Sequence, residues 1–253
     1  GLAQAGTDLT TADLVIGTSA GSVVGAQILG GPSLEELYAV QLADATGEIA
    51  ARIGARVIAQ FLIGAAWPGD PRRGRAHIGR AAIRAHTVPE SVRRKIIEDR
   101  LPSLSWPERR LIVMAVDAQT GEGRAFDRES GVPLPEAVAA SCAVPIVWPP
   151  ITIEGRQYVD GGVRSSTNAD YAKGCDRVVV LAPTNLALRR STRIANQLAT
   201  LGAEVRSIVV SPDTRARQAI GSNVLDPAHR AASARAGRQQ AADVAEAVAA
   251  VWA

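Results

Sequence analysis

The chain reads as an α/β protein whose central sheet is mostly parallel and covered on both faces. Three observations predict this. Four short apolar, β-branched runs, Asp13–Gly17, Arg110–Val116, Arg177–Leu181 and Ser207–Ser211, have the form of buried strands. Segments of helical period separate most of them, the pattern that places helices on both sides of a sheet. No internal repeat or low-complexity linker interrupts the 253 residues. One domain over 1–253 is therefore expected, long enough to bury a sizeable core.

The elements follow in order. Leu2–Ala5 reads as a helix tail closed by Gly6. The strand Asp13–Gly17 leads into a helix over Ala20–Leu29, stopped by Gly30-Gly31. Ser33 and Glu36 form a capping-box signature for the next helix. Helical pattern then runs to Ala66, with a break near Gly47, and Trp67–Pro71 reads as a loop. His77–Leu101 is helical again, with Pro89 near a helix start. After the strand Arg110–Val116 comes a turn at Thr120–Gly123 and a return over Arg124–Phe126. Leu134–Cys142 is a short helix before Pro145, and Ile151–Ile153 and Gln157–Val159 flank a hairpin turn at Glu154-Gly155. The strand Arg177–Leu181, the strand Ser207–Ser211 and a helical, Ala/Arg-rich stretch over Pro227–Trp252 complete the chain.

Composition excludes several classes. Hydrophobic residues make up 47% and aromatics only 4%, so the core is built from Ala, Val, Leu and Ile. The net charge of +3 comes from scattered arginines without a nucleic-acid motif, and no nucleic-acid partner is expected. Cys142 and Cys175 lack metal-ligand spacing and read as buried small apolar residues in a reducing compartment. No leader pattern and no run of about 18 apolar residues is present, so a cytoplasmic protein is expected.

The chemistry is concentrated in Gly17-Thr18-Ser19-Ala20-Gly21, a G-x-S-x-G between a strand and a helix. That context suits a nucleophilic serine on a sharp turn, with small residues two positions before and after it. The helix that follows aims its first amides at the reacting centre, where negative charge develops. A serine hydroxyl needs a proton acceptor. One candidate is Asp160, at a strand end and followed by Gly161-Gly162, whose missing side chains admit close backbone approach. The other is His229, because Ser19, Asp160 and His229 fall in the order of an α/β-hydrolase triad; His77 and His86 have no such context.

Three stretches together resemble the patatin-like phospholipase family: Gly17–Gly21; Ala140-Ser141-Cys142-Ala143-Val144-Pro145 with Trp148-Pro149-Pro150; and Tyr158-Val159-Asp160-Gly161-Gly162. The resemblance runs from about residue 1 to 183, leaving 184–253 as a C-terminal strand and helices of the same domain. It implies a three-layer α/β/α fold and a Ser-Asp dyad without a histidine, with Ser19 as nucleophile and Asp160 as general base. Gly17, Ala20, Gly21, Gly161 and Gly162 would support the elbow and the oxyanion. It further implies hydrolysis of carboxylic esters of phospholipids or other acyl lipids through an acyl-enzyme, with no metal and no organic cofactor. The family's first strand and glycine-rich oxyanion loop would precede the helix tail at residue 2, and neither is expected within 1–253.

Other readings stand beside this one: an esterase using His229, a pseudoenzyme or lipid-binding module of the same fold, and a serine protease, for which no peptide groove is signalled. Ile49, Ile53, Val57 and Phe61 recur every four residues beside a polar stripe of Arg52, Arg56 and Gln60. This segment either packs on the core or flanks the site and, with Trp67, makes a peripheral contact with a membrane.

Overall fold

The computed structural model describes residues 1–43, 51–184, 187 and 189–253. Seven strands and nine α-helices are found among them: β1 Leu14–Thr18, α1 Ala20–Leu29, α2 Leu34–Leu42, α3 Ala55–Ala66, α4 Pro71–Ile83, α5 Glu90–Glu98, β2 Arg110–Asp117, β3 Gly123–Phe126, α6 Leu134–Ser141, β4 Ile151–Ile153, β5 Arg156–Asp160, β6 Arg177–Leu181, α7 Ile194–Ala199, β7 Arg206–Val210, α8 Thr214–Ile220 and α9 Arg230–Trp252. The α/β class stands. The break expected near Gly47, and Ile49, lie outside the described residues.

The larger sheet is built around β2, seven of whose eight residues are buried. Its side chains alternate between layers. Leu111, Val113 and Ala115 enter a core with Val23 and Ala26 of α1 and Ala137 and Val138 of α6. Val116 packs on the other face with Ala82 of α4, Ala118 and Val159. A strand covered on both sides is apolar throughout, which is why Arg110–Val116 was so legible.

Pairing within the sheet is mixed. β1 pairs parallel with β2, whereas β3 and β5 pair antiparallel with β2, and β4 pairs antiparallel with β5. The expected parallel arrangement thus holds at β1–β2 and at β6–β7, which form a separate two-stranded sheet. Short connections decide the rest. The turn Glu154-Gly155 leaves no room for a crossover between β4 and β5, nor does the turn after Asp117 between β2 and β3.

The register has a further consequence. β3 occupies one edge of β2 along Val113–Val116. β1 lies along Arg110–Met114 and β5 along Ala115–Asp117, so both must share the opposite edge. β1 runs up to Met114 and β5 runs back down to Ala115. The two strands therefore meet end to end, with Thr18 and Asp160 beside consecutive residues of β2.

Local expectations held unevenly. α1 occupies Ala20–Leu29 as expected, and the Ser33/Glu36 capping box of α2 is present. Leu2–Ala5 forms a turn rather than a regular helix, with Gly6 at φ 92°. α4 begins at Pro71, six residues before the expected start, because Asp70 accepts from the Arg72 amide and Pro71 takes the first helical position. α7 and α8 had no clear periodicity to announce them.

Candidate functional site

Ser19 stands between β1 and α1 with φ 53° and ψ −127°. This region is costly for a residue with a Cβ, about 1–3 kcal/mol. Close packing enforces it: a Cβ on Gly17 would lie 2.4 Å from Ser22 Cα. The glycine two residues before the serine is therefore needed to make the turn. The one two residues after is not, because a Cβ on Gly21 would meet nothing within 4 Å. Gly21 and Ala20 are instead exposed.

The Ser19 side chain does not cap α1. Its hydroxyl donates to Asp160 Oδ2 at 2.6 Å. The other carboxylate oxygen, Oδ1, accepts from the Gly162 amide at 2.7 Å. The two glycines after Asp160 have distinct reasons. A Cβ on Gly161 would sit 2.3 Å from Met114 O, and one on Gly162 would sit 2.9 Å from Asp160 Oδ1. The first allows the chain to cross β2 closely, and the second lets the amide reach the carboxylate.

Burial pushes the Asp160 carboxyl up from 3.8 to about 6, against the downward pull of the Ser19 hydroxyl, the Gly162 amide and Arg93. The carboxylate is therefore a stronger base than a surface aspartate and still ionised near neutrality. The first-turn amides of α1, with no intrahelical acceptors, supply positive potential on the exposed side of Ser19.

Four residues join this site that the sequence did not single out for it. Ser141 Oγ accepts from the Ser19 amide at 2.9 Å. Ser22 Oγ donates to Ser19 O at 2.7 Å. Asn168, fully buried and at φ 49°, donates from Nδ2 to Thr18 Oγ1 at 3.0 Å, to Ser165 O at 2.9 Å and to Gly161 O at 3.4 Å. It ties the strand before Ser19 to the turn after Asp160. The fourth, Arg93, is only 5% exposed, donates from Nη2 to Cys142 O at 3.3 Å and lies 4.3 Å above the Trp148 ring. Ser141 lay inside a quoted motif, but nothing in its spacing marked its hydroxyl; Asn168 and Arg93 carried no signal at all.

His229 is placed otherwise. It precedes α9, and its ring packs against Gly221. The Ser19 hydroxyl is directed at Asp160, so the order Ser19, Asp160, His229 does not become a hydrogen-bonded chain. Both cysteines are free thiols, Cys142 buried and raised to about 11 by desolvation, Cys175 half-buried.

A broad, open cleft borders Ser19, Ala20, Gly21 and Asp160, and its lining includes Val24, Tyr38, Ile58 and Leu62. The amphipathic segment differs from its expected form. Ile53 precedes α3, Val57 is buried and Phe61 half-buried, while Ile58 and Leu62 are each 51% exposed. Gly64 and Gly74 allow α3 and α4 to touch backbone to backbone, which fixes this face outward. Trp67 stacks on His77 at 5.0 Å rather than standing free. No helix among the described residues is long and apolar enough to cross a membrane.

The family model for patatin-like phospholipase matches residues 3–173. The chain belongs to the patatin-like phospholipase family. No curated protein matches it. The family is one of lipid acyl hydrolases, and the match to this patatin-like chain takes in β1 to β5 together with Ser19 and Asp160.

Proposed function

We propose that this patatin-like protein hydrolyses carboxylic esters of phospholipids or other acyl lipids, with Ser19 as nucleophile and Asp160 as general base. The observation that carries this reading is the 2.6 Å hydrogen bond from a strained, half-buried serine to a buried carboxylate whose affinity for protons is raised. Asp160 Oδ2 takes the proton as Ser19 Oγ adds to the ester carbonyl. The oxyanion lies towards the first amides of α1, with the Ala20 N–H as one donor. Collapse breaks the carbonyl–alkoxy bond, and the leaving alkoxide takes the proton from Asp160. Water, losing its proton to the same carboxylate, then attacks the acyl-enzyme; collapse breaks the Ser19 Oγ–acyl bond, Asp160 returns the proton to Ser19 Oγ, and the fatty acid leaves.

Labelling with a fluorophosphonate probe tests this reading. The parent protein is expected to label, and Ser19→Ala and Asp160→Asn to lose both labelling and ester turnover by at least about 10³-fold. Retained turnover in either variant removes the dyad.

The exposed Ile58 and Leu62 beside the cleft favour peripheral contact with a lipid surface. Ile58→Ser combined with Leu62→Ser should weaken sedimentation with anionic liposomes while a soluble ester is hydrolysed normally. Equal liposome binding by the double variant counts against the contact.

A further inference from the structure

Both members of the Ser19–Asp160 pair hang from one short segment. The Ser19 amide donates to Ser141 Oγ at 2.9 Å, and the Asp160 amide donates to Ala143 O at 3.0 Å. Between them stands Cys142, whose carbonyl accepts from Arg93 Nη2 at 3.3 Å. Ser141–Ala143 thus brackets β1 and β5 where they meet end to end, and Arg93 of α5 holds the bracket at its centre.

Arg93 is an unusual choice for a mere strut. It is 5% exposed, and among the described residues its guanidinium has one neutral carbonyl and the Trp148 face as partners, while its Nε is buried without an acceptor. Burying a cation with so few partners is costly. The loop that follows Ala143 is also constrained. Trp148 donates its amide to Val144 O at 2.9 Å, and between them Ile146 is held at φ 71°, a region unfavourable for a β-branched residue.

We infer that Arg93 is a positioning residue for the dyad: through the Cys142 carbonyl it fixes the Ser141–Ala143 bracket that sets Ser19 and Asp160 at bonding distance. The inference rests on the dyad reading. The bracket also occupies the Ser19 amide, which donates to Ser141 Oγ.

Arg93 has an electrostatic part as well. The groups facing Asp160 are the Ser19 hydroxyl from the turn before α1, the Gly162 amide from its own turn, Arg93 from α5 and the Cys142 thiol beyond α6; Arg100 acts in turn on Arg93 and Cys142. Arg93 pulls the Asp160 carboxyl down, opposing the larger effect of burial. A neutral residue in its place leaves only the Ser19 hydroxyl and the Gly162 amide against burial, and the carboxylate titrates at higher pH.

The experiment measures kcat, KM and the acidic limb of the pH profile with a soluble p-nitrophenyl ester, for the full chain and for Arg93→Met, Arg93→Lys and Ser141→Ala. The limb of the parent is expected near pH 6. Arg93→Met should lower kcat by about 10²-fold with little change in KM, as displacement of reacting groups does, and move the limb to higher pH. Arg93→Lys, which keeps the charge, should return the limb towards its parental position while kcat stays reduced. Ser141→Ala should lower kcat by about 10-fold and leave the limb in place, because it frees Ser19 without removing a charge. A folded Arg93→Met with parental kcat and parental limb overturns the inference and leaves the dyad intact. Should Arg93→Met fail to fold, Ser141→Ala decides: parental kcat there overturns the bracket. Ester turnover that survives Ser19→Ala overturns the dyad reading and the bracket with it.

Discussion

The two sheets of this molecule are held together in different ways. In the larger one, β2 is buried over seven consecutive residues and each face has its own core. In the smaller one, no residue of β7 is fully buried, and Leu181 of β6 is 55% exposed. α9 lies along β6 and β7 but buries only Ala236, Ala241 and Val248 of its 23 residues. The polar bonds differ too. Around β2 they are at least partly buried and long in sequence, such as Ser19 to Ser141 and Asn168 to Thr18. Around β6 and β7 they are arginine-to-carbonyl contacts at the surface, such as Arg206 Nη2 to Ala253 O at 2.6 Å. A strained serine and a buried carboxylate need surroundings that cannot relax, and only the larger sheet provides them.

This contrast predicts how the two regions respond to change. The largest effect is expected in the core behind the site. Ile151 of β4 is fully buried, and Ile151→Ala should cost about 2–5 kcal/mol in a urea titration. A loss below 1 kcal/mol would mean that β4 is not integral to the packed sheet.

Next comes the cost of the site itself. The Asp160 carboxyl binds its proton more tightly in the folded chain, about 6 against 3.8. The folded state therefore holds more protons than the unfolded state between those values, so this residue's contribution is full below 3.8 and is lost as pH rises through 6. Asp160→Asn removes that loss. It should stabilise the protein by up to about 3 kcal/mol at pH 8, with the gain gone at pH 3.5. Equal gains at both pH values would show that carboxylate desolvation is not the cause. The smallest effect is expected in the second sheet, where Leu181→Ala should change stability by no more than about 0.5 kcal/mol. A larger loss would mean that this edge is covered in solution.

Much of this architecture was legible beforehand, and the reasons are local. β2 is apolar because it is buried on both faces, and β1 and β6 because each packs side chains against a core, while α1 is bounded by a turn at one end and a glycine pair at the other. Ser19 and Asp160 stood out because both need glycine neighbours, and glycine is conspicuous. α4 was misplaced because its cap and its proline resembled a loop. Arg93 was invisible because the sequence shows a basic residue in an amphipathic helix, not which side of that helix is buried.

The amino-acid sequence by itself determined the α/β class, the sharp turn at Ser19 and the glycine-flanked Asp160 as one of two candidate bases, the other being His229. These follow from period, glycine placement and chain order, all of them properties of neighbouring residues. Tertiary structure alone decided that β1 and β5 share one edge of β2 end to end, that Ser141 and Ala143 hold both amides, and that burial raises Asp160. Strand pairing and desolvation depend on groups that lie from 17 to 122 residues apart in the chain, and no local pattern records them.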